Sequence, residues 1–185
     1  MTYRMNIAGL SRELPLCKVQ EDLYIGAFIL FGDAELTVAC ARELLTRAPK
    51  DYDYLLTAEA KSLPLIHEMA RQSGAGTYLV ARKGKKVYLT DPIEVSVHSI
   101  TTQQEQRLCL GREDAERICG KRILIVDDVI STGESLKALE TLVEKAGGQV
   151  AGRMAVLAEG DAWERKDIVC LDRLPLFHAD GSIRE

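Results

Sequence analysis

The chain has no Cys-x-x-Cys pair, no apolar run long enough to cross a bilayer, no internal repeat and no excess of positive charge. Each absence removes a class of protein. Its five cysteines (Cys17, Cys40, Cys109, Cys119, Cys170) are odd in number and widely spaced, which argues against a disulfide framework. They read as reduced thiols, most of them small core hydrophobes, in a reducing compartment. The most apolar stretch, Tyr24 to Phe31, is far too short for a membrane span. No apolar stretch long enough for a signal peptide follows Met-Thr-Tyr-Arg-Met-Asn, so the expected location is cytoplasmic. Lys plus Arg number 24 against 28 for Asp plus Glu, a net charge of −4 that lacks the footprint of a general nucleic-acid binder. No stretch is rich enough in Pro, Gly or Ser to be a linker. Also missing are the Gly-x-x-x-x-Gly-Lys-Ser/Thr loop, the Gly-x-Gly-x-x-Gly fingerprint and the Gly-x-Ser-x-Gly elbow. His67-Glu68-Met69-Ala70-Arg71 lacks the second His of a zinc-protease helix and reads as an exposed helical face.

What remains is an ordinary globular composition, 46% hydrophobic and 28% charged over 185 residues, which suits one domain. Asp33 is placed to cap a helix to about Arg47, with Leu36, Cys40 and Leu44 on one stripe. Tyr54 to Thr57 reads as a buried strand, and Ser62 as the cap of a second helix carrying Leu65, Ile66 and Met69 inward. Strands are expected at Thr77 to Ala81, Val87 to Leu89, Ile93 to Ser99 and Arg107 to Leu110. Ile123-Leu124-Ile125-Val126 is a continuous apolar run, the mark of a central strand covered on both faces. A helix from Glu134 carries Leu136, Leu139, Val143 and Ala146 in register and closes at Gly147-Gly148. Val150 to Leu157 and Ile168 to Leu171 are the last expected strands, and residues 1–23 give no clear pattern. Alternating helices and apolar strands predict an α/β fold: a single domain, 1–185, with a mostly parallel central sheet flanked by helices. The chain ends, about 1–32 and 160–185, are expected to form a small accessory lobe.

Chemistry concentrates after the central strand, in Asp127-Asp128-Val129-Ile130-Ser131-Thr132-Gly133-Glu134-Ser135. Ligands of open α/β sheets bind beyond the carboxyl ends of the strands. Small hydroxyl residues and a glycine leading into a helix form a phosphate cradle, with backbone N–H groups at the positive end of the helix dipole. Two adjacent carboxylates repel a phosphate but can accept hydrogen bonds from the vicinal hydroxyls of a sugar.

This segment resembles the phosphoribosyl-pyrophosphate motif of the type I phosphoribosyltransferases. The resemblance implies that Asp127 and Asp128 hold the ribose hydroxyls, and that Ser131, Thr132, Gly133, Glu134 and Ser135 hold the 5′-phosphate. A small residue usually stands in place of Glu134, whose acid is expected to turn away. Thr57-Ala58-Glu59-Ala60-Lys61-Ser62 is similar to the family's pyrophosphate loop, with Lys61 as the pyrophosphate contact and Ser62 capping the helix. Arg82-Lys83-Gly84-Lys85-Lys86 packs four cations around a glycine and resembles the cationic loop that neutralises the leaving pyrophosphate; as a bare sequence it also fits a solvent-facing hairpin tip. The resemblance runs from about Gly26 to Phe177 and is best for the adenine branch, with some likeness to the xanthine branch. Within it Leu30, Phe31 and Gly32 would meet the base. Gly32 replaces the usual Arg before Asp33, and Glu105 stands displaced from the position of the Glu that handles the base proton. His98 reads as a surface residue near that loop, and Trp163 as rim packing or a base-stacking ring.

The implied reaction is Mg²⁺-dependent transfer of phosphoribosyl to a purine, adenine first, with xanthine, hypoxanthine or guanine as alternatives. Its transition state is an oxocarbenium-like sugar with a departing polyanion, so positioning and electrostatics carry the catalysis. The expected partners are phosphoribosyl pyrophosphate, a purine base and a second copy of the chain, with neither nucleic acid nor membrane. The rival class is a non-catalytic regulator that binds phosphoribosyl pyrophosphate as a signal.

Overall fold

In a computed structural model describing residues 1–89, 91–97 and 106–184, the apolar run Ile123–Val126 is the middle of a strand covered on both sides. Ile123 and Ile125 enter one core cluster, Leu124 and Val126 the other, as strand alternation requires. In chain order the elements begin with β1 (Thr2–Ile7), β2 (Leu10–Gln20), β3 (Leu23–Gly26), α1 (Ala34–Arg47), β4 (Tyr54–Ala58) and α2 (Leu63–Ser73). Then follow β5 (Leu79–Lys83), β6 (Ile93–Val97), β7 (Gln106–Leu110), α3 (Arg112–Ile118), β8 (Arg122–Ile130) and α4 (Glu134–Lys145). The chain ends with β9 (Gln149–Glu159), a 3-10 turn (Gly160–Glu164), β10 (Val169–Leu174), β11 (Leu176–Phe177) and β12 (Ile183–Arg184).

The main sheet has the order β10-β9-β8-β4-β5-β7-β6. It is parallel from β10 to β5 and antiparallel from β5 through β7 to β6. α1 and α2 bury Leu36, Cys40, Leu44, Leu65, Ile66 and Met69 against one face. α4 buries Leu136, Leu139, Leu142 and Val143 against the other. The fold is therefore the expected α/β architecture, a mixed sheet between helical layers.

A second sheet, ordered β1-β2-β3-β11-β12, packs Met5, Ile7 and Leu14 into the α1–α2 side of the core. Its first hairpin turns at Ala8 and Gly9, both at positive φ, the two-residue geometry that matches strand twist. So residues 1–23, patternless as sequence, are strand. β10 belongs to the main sheet, and the C-terminal share of the second sheet starts only at Leu176.

Two further expectations change. Val87–Leu89 is not a strand but a turn closed by Leu89 N–H donating to Lys86 C=O, with Val87 and Tyr88 exposed. α3, unforeseen, is a short helix begun at Gly111 with Glu113 and Asp114 in its first turn, where the helix dipole favours acids.

Candidate functional site

β8 outruns its neighbour. Its pairing with β4 ends at Leu56–Ile125, whereas pairing with β9 continues to Ile130–Ala158. Asp127 and Asp128 therefore stand inside the strand rather than beyond it, where β4 has turned away into the loop 59–62. That loop supplies the group between them. Ser62 Oγ lies 2.5 Å from Asp127 Oδ1 and 3.1 Å from Asp128 Oδ1, and it accepts from Asp128 N–H at 3.0 Å. Ser62 precedes the first residue of α2 as expected, but its hydroxyl makes no cap bond, because the acids take it.

Lys61 Nζ is 3.2 Å from Asp128 Oδ2, an atom left without an aligned hydrogen bond although Asp128 is buried. Loss of solvent, followed by the neighbouring charge of Asp128, pushes the Asp127 carboxyl up to about 7. The pair is thus poised to trade protein contacts for sugar hydroxyls.

The two basic segments form one constellation. Glu59 Oε2 accepts from Lys83 N–H at 2.9 Å, and the carboxylate lies 3.7 Å from both Arg82 Nη1 and Lys86 Nζ. Glu59 N–H donates to Ala81 C=O, fixing the loop to β5 where the sheet changes from parallel to antiparallel. The Glu59–Ala60 peptide is cis. Lys83 and Lys85 are exposed. A cavity of about 170 Å³ is lined by Glu59, Ala60, Lys61, Ser62, Lys83, Asp127 and Asp128, among others.

A second, smaller cavity is lined by Asp127 and by Val129 through Leu136, and so includes Ser131, Thr132, Gly133, Glu134 and Ser135. Gly133 has φ +82°, the left-handed conformation that lets the chain turn from β8 into α4. The two cavities share Asp127, Val129 and Ser135, so the acids lie between a cationic end and a helix N-terminus. That arrangement can hold a ligand with anionic groups at both ends and hydroxyls in the middle.

The expected base contacts stand apart. The Leu30 side chain is spent in the core, and Phe31 is about half exposed. Leu30 C=O accepts from Asp33 N–H at 3.1 Å, closing a turn in which Gly32 takes φ +82°, a conformation that favours glycine over arginine. Arg12 of β2 grips Asp33 with two hydrogen bonds, at 2.6 and 3.1 Å, and Glu35 with a third at 2.8 Å. The Arg12 bonds hold the Asp33 carboxyl below its ordinary range. Glu105 and His98 lie outside the described residues.

Sequence reasoning missed Arg12 and Glu159. Glu159 is buried at the end of β9, and burial pushes its carboxyl up, an effect that nearby Ser131 partly offsets. An acid ending an apolar strand was the available signal, the same one that marked Asp127.

Comparison with known proteins follows the same lines. Residues 35–181 match the phosphoribosyl transferase domain family. The chain belongs to that family. Among its relatives is an adenine phosphoribosyltransferase of Cutibacterium acnes, 30% identical over 86% of each chain. Another is a hypoxanthine/guanine phosphoribosyltransferase of Methanocella paludicola, 33% identical over 67% of this chain and 59% of that one. An adenine phosphoribosyltransferase of Thermoanaerobacter pseudethanolicus shares the fold with a TM-score of 0.70 at 19% identity, over 86% of this chain and 95% of that one. The yeast enzyme, solved with an imino-altritol bisphosphate and adenine, superposes with a TM-score of 0.67 at 19% identity, over 85% and 93%. The fold is that of type I phosphoribosyltransferases. Among the described residues no helix is long and apolar enough to cross a membrane.

Proposed function

We propose that the protein transfers the 5-phosphoribosyl group of phosphoribosyl pyrophosphate to a purine base, adenine in preference to others, giving AMP and pyrophosphate. The observation that carries this reading is the position of Asp127 and Asp128 between a cation-lined cavity and the N-terminus of α4. Asp127 and Asp128 accept hydrogen bonds from the ribose hydroxyls, and Ser131–Ser135 hold the 5′-phosphate with backbone N–H and hydroxyl donors. Lys61, Arg82, Lys83, Lys85 and Lys86, with the backbone of the 59–62 loop, take the pyrophosphate. In this reading Glu59 aligns those cations, since its carboxylate lies against Arg82, Lys86 and the Lys83 N–H. Lys61 leaves Asp128 for the ligand. The base meets the backbone of Leu30–Gly32 beside the Phe31 ring.

As the C1–oxygen bond breaks, the cations stabilise the leaving pyrophosphate, and the fixed ribose presents C1 to the base nitrogen. Among the described residues no three carboxylate, His or Cys groups gather as a metal cage. A Mg²⁺ held mainly by the ligand's own oxygens suits this site, and Asp128 Oδ2, which faces the Lys61 ammonium but accepts no aligned hydrogen bond, would be a fitting protein ligand. Bound there, Mg²⁺ would offset charge on the pyrophosphate.

A second reading, transfer to hypoxanthine or guanine, is favoured by the relatives of that name, among them one from Methanothermococcus okinawensis that is 31% identical over 83% of this chain. One assay separates the readings: pyrophosphate release from phosphoribosyl pyrophosphate with Mg²⁺ and adenine, hypoxanthine, guanine or xanthine. Fastest release with adenine is expected. Tight binding without release for any base would make the protein a regulator. The proposal also takes the protein to be a cytoplasmic homodimer, the oligomeric state being open to sedimentation velocity.

A further inference from the structure

Arg12 stands where the pattern of β2 calls for an apolar side chain. Leu10, Arg12 and Leu14 share one face of the strand, and Leu14 is buried in the α1–α2 side of the core. Met5, paired with Arg12 across the hairpin, is buried in the same cluster. A cation on that face must find partners there. Nε and Nη2 donate to the two oxygens of Asp33 at 2.6 and 3.1 Å, Nη2 also to Glu35 at 2.8 Å, and Nη1 to Ser11 C=O at 3.0 Å. The Glu35 side chain is 72% exposed and that of Asp33 28%, so Asp33 is the anchor.

Asp33 is also the corner between the 28–32 segment and α1. Its N–H donates to Leu30 C=O, its C=O accepts from Thr37 N–H, and its Oδ1 accepts from Leu36 N–H at 3.0 Å. The cap uses one carboxylate oxygen, and an asparagine would supply it equally well. Oδ2 is surplus to the cap and takes the shortest of the Arg12 bonds. The two-pronged grip therefore fastens β2 to the turn, over and above starting the helix. In the segment so fastened, Phe28 and Leu30 are buried, while Ile29 and Phe31 are about half exposed.

We propose that Arg12 is a positioning residue for base recognition, setting through Asp33 where the backbone of Leu30–Gly32 meets the purine. The inference rests on the base contact proposed for that turn. Groups that recognise a ligand by hydrogen bonds must be held to within about 0.5 Å, and a planar guanidinium locked to both oxygens of a carboxylate gives that rigidity.

The test is steady-state kinetics with the base varied at saturating phosphoribosyl pyrophosphate, together with calorimetry of phosphoribosyl pyrophosphate. Wild type, Arg12→Gln, Asp33→Asn, the double variant and Phe31→Ala are compared, with whichever base the wild type turns over fastest. Arg12→Gln and Asp33→Asn should each raise KM for the base about tenfold, with kcat, phosphoribosyl-pyrophosphate affinity and melting temperature little changed. Because both remove the same interaction, the double variant should be no worse than either single one. An unchanged KM in Arg12→Gln beside a raised KM in Phe31→Ala overturns the inference and leaves the base contact standing. Additive losses in the double variant, or equal losses of base and phosphoribosyl-pyrophosphate affinity with early melting, also overturn it, by showing a merely structural role. An unchanged KM in both Arg12→Gln and Phe31→Ala overturns the proposed base contact together with the inference. A wild type that turns over no base overturns the transferase reading and this inference with it.

Discussion

Asp127 and Asp128 sit close enough to share one hydroxyl, and in the ligand-free protein that closeness is costly. The Asp127 carboxyl, raised to about 7, holds a proton in the folded chain that it has lost in the unfolded one between about pH 4 and pH 7. Across that window the native state binds more protons, so this group makes stability fall as pH rises. Asp127→Asn removes the penalty. Melting curves should show the variant more stable than wild type at pH 8, by a few kcal/mol at most, and the gap closing toward pH 4. A gap that does not change with pH would mean that Asp127 titrates normally. The same variant, like Asp128→Asn, should bind phosphoribosyl pyrophosphate more weakly by about 1.5–3 kcal/mol, measured by calorimetry. The acid pair was legible because its two members are neighbours in the chain. Ser62 between them, Glu159 behind Ser131 and Arg12 on Asp33 were not, because only sheet order and helix docking bring such distant positions together.

At the scale of elements, each cluster of proposed ligand groups hangs on the end of one strand. The cations start in the last two residues of β5 and run on past it, where Glu59 lies against Arg82, Lys86 and the Lys83 N–H. These are partly exposed pairs, worth little to stability. Lys83→Gln, Lys85→Gln and Lys86→Gln together should therefore lower turnover about tenfold or more while moving the melting temperature little. Early melting with normal turnover would make the cluster structural. The turn at Leu30–Asp33 depends instead on β2, through Arg12. Arg12→Gln should raise KM for the base and leave the affinity for phosphoribosyl pyrophosphate unchanged; equal effects on both would show a general loosening. β8 and α4 could be read from sequence because an unbroken apolar run and a period of 3.6 leave few alternatives. The β1–β2 hairpin could not, since much of it is exposed and its register rests on two turn residues, Ala8 and Gly9. Val87–Leu89 misled by composition: three apolar or aromatic residues look like a strand, but among the described residues they join no sheet.

For the whole molecule, the second sheet packs on the α1–α2 layer next to the Leu30–Gly32 turn, so under the proposed function the base and the sugar would be met by different sheets. Backbone groups distinguish purines by donor and acceptor order, and a mismatched buried polar group costs about 1–3 kcal/mol. The base panel should accordingly show adenine ahead of hypoxanthine and guanine by about tenfold in kcat/KM. A 6-oxopurine turned over equally well would overturn the base preference alone.

The central place of β8 reaches beyond binding. Its amides pair with β4 on one side and β9 on the other, deep between two helical layers. Hydrogen–deuterium exchange along β8 should be among the slowest in the chain, with or without ligand. Ligand-induced protection should appear instead in the 59–62, 82–86 and 131–135 loops. Under the proposed function the two acids are then a fixed datum, and a substrate too long or too short between its anionic ends would meet a ruler that does not bend.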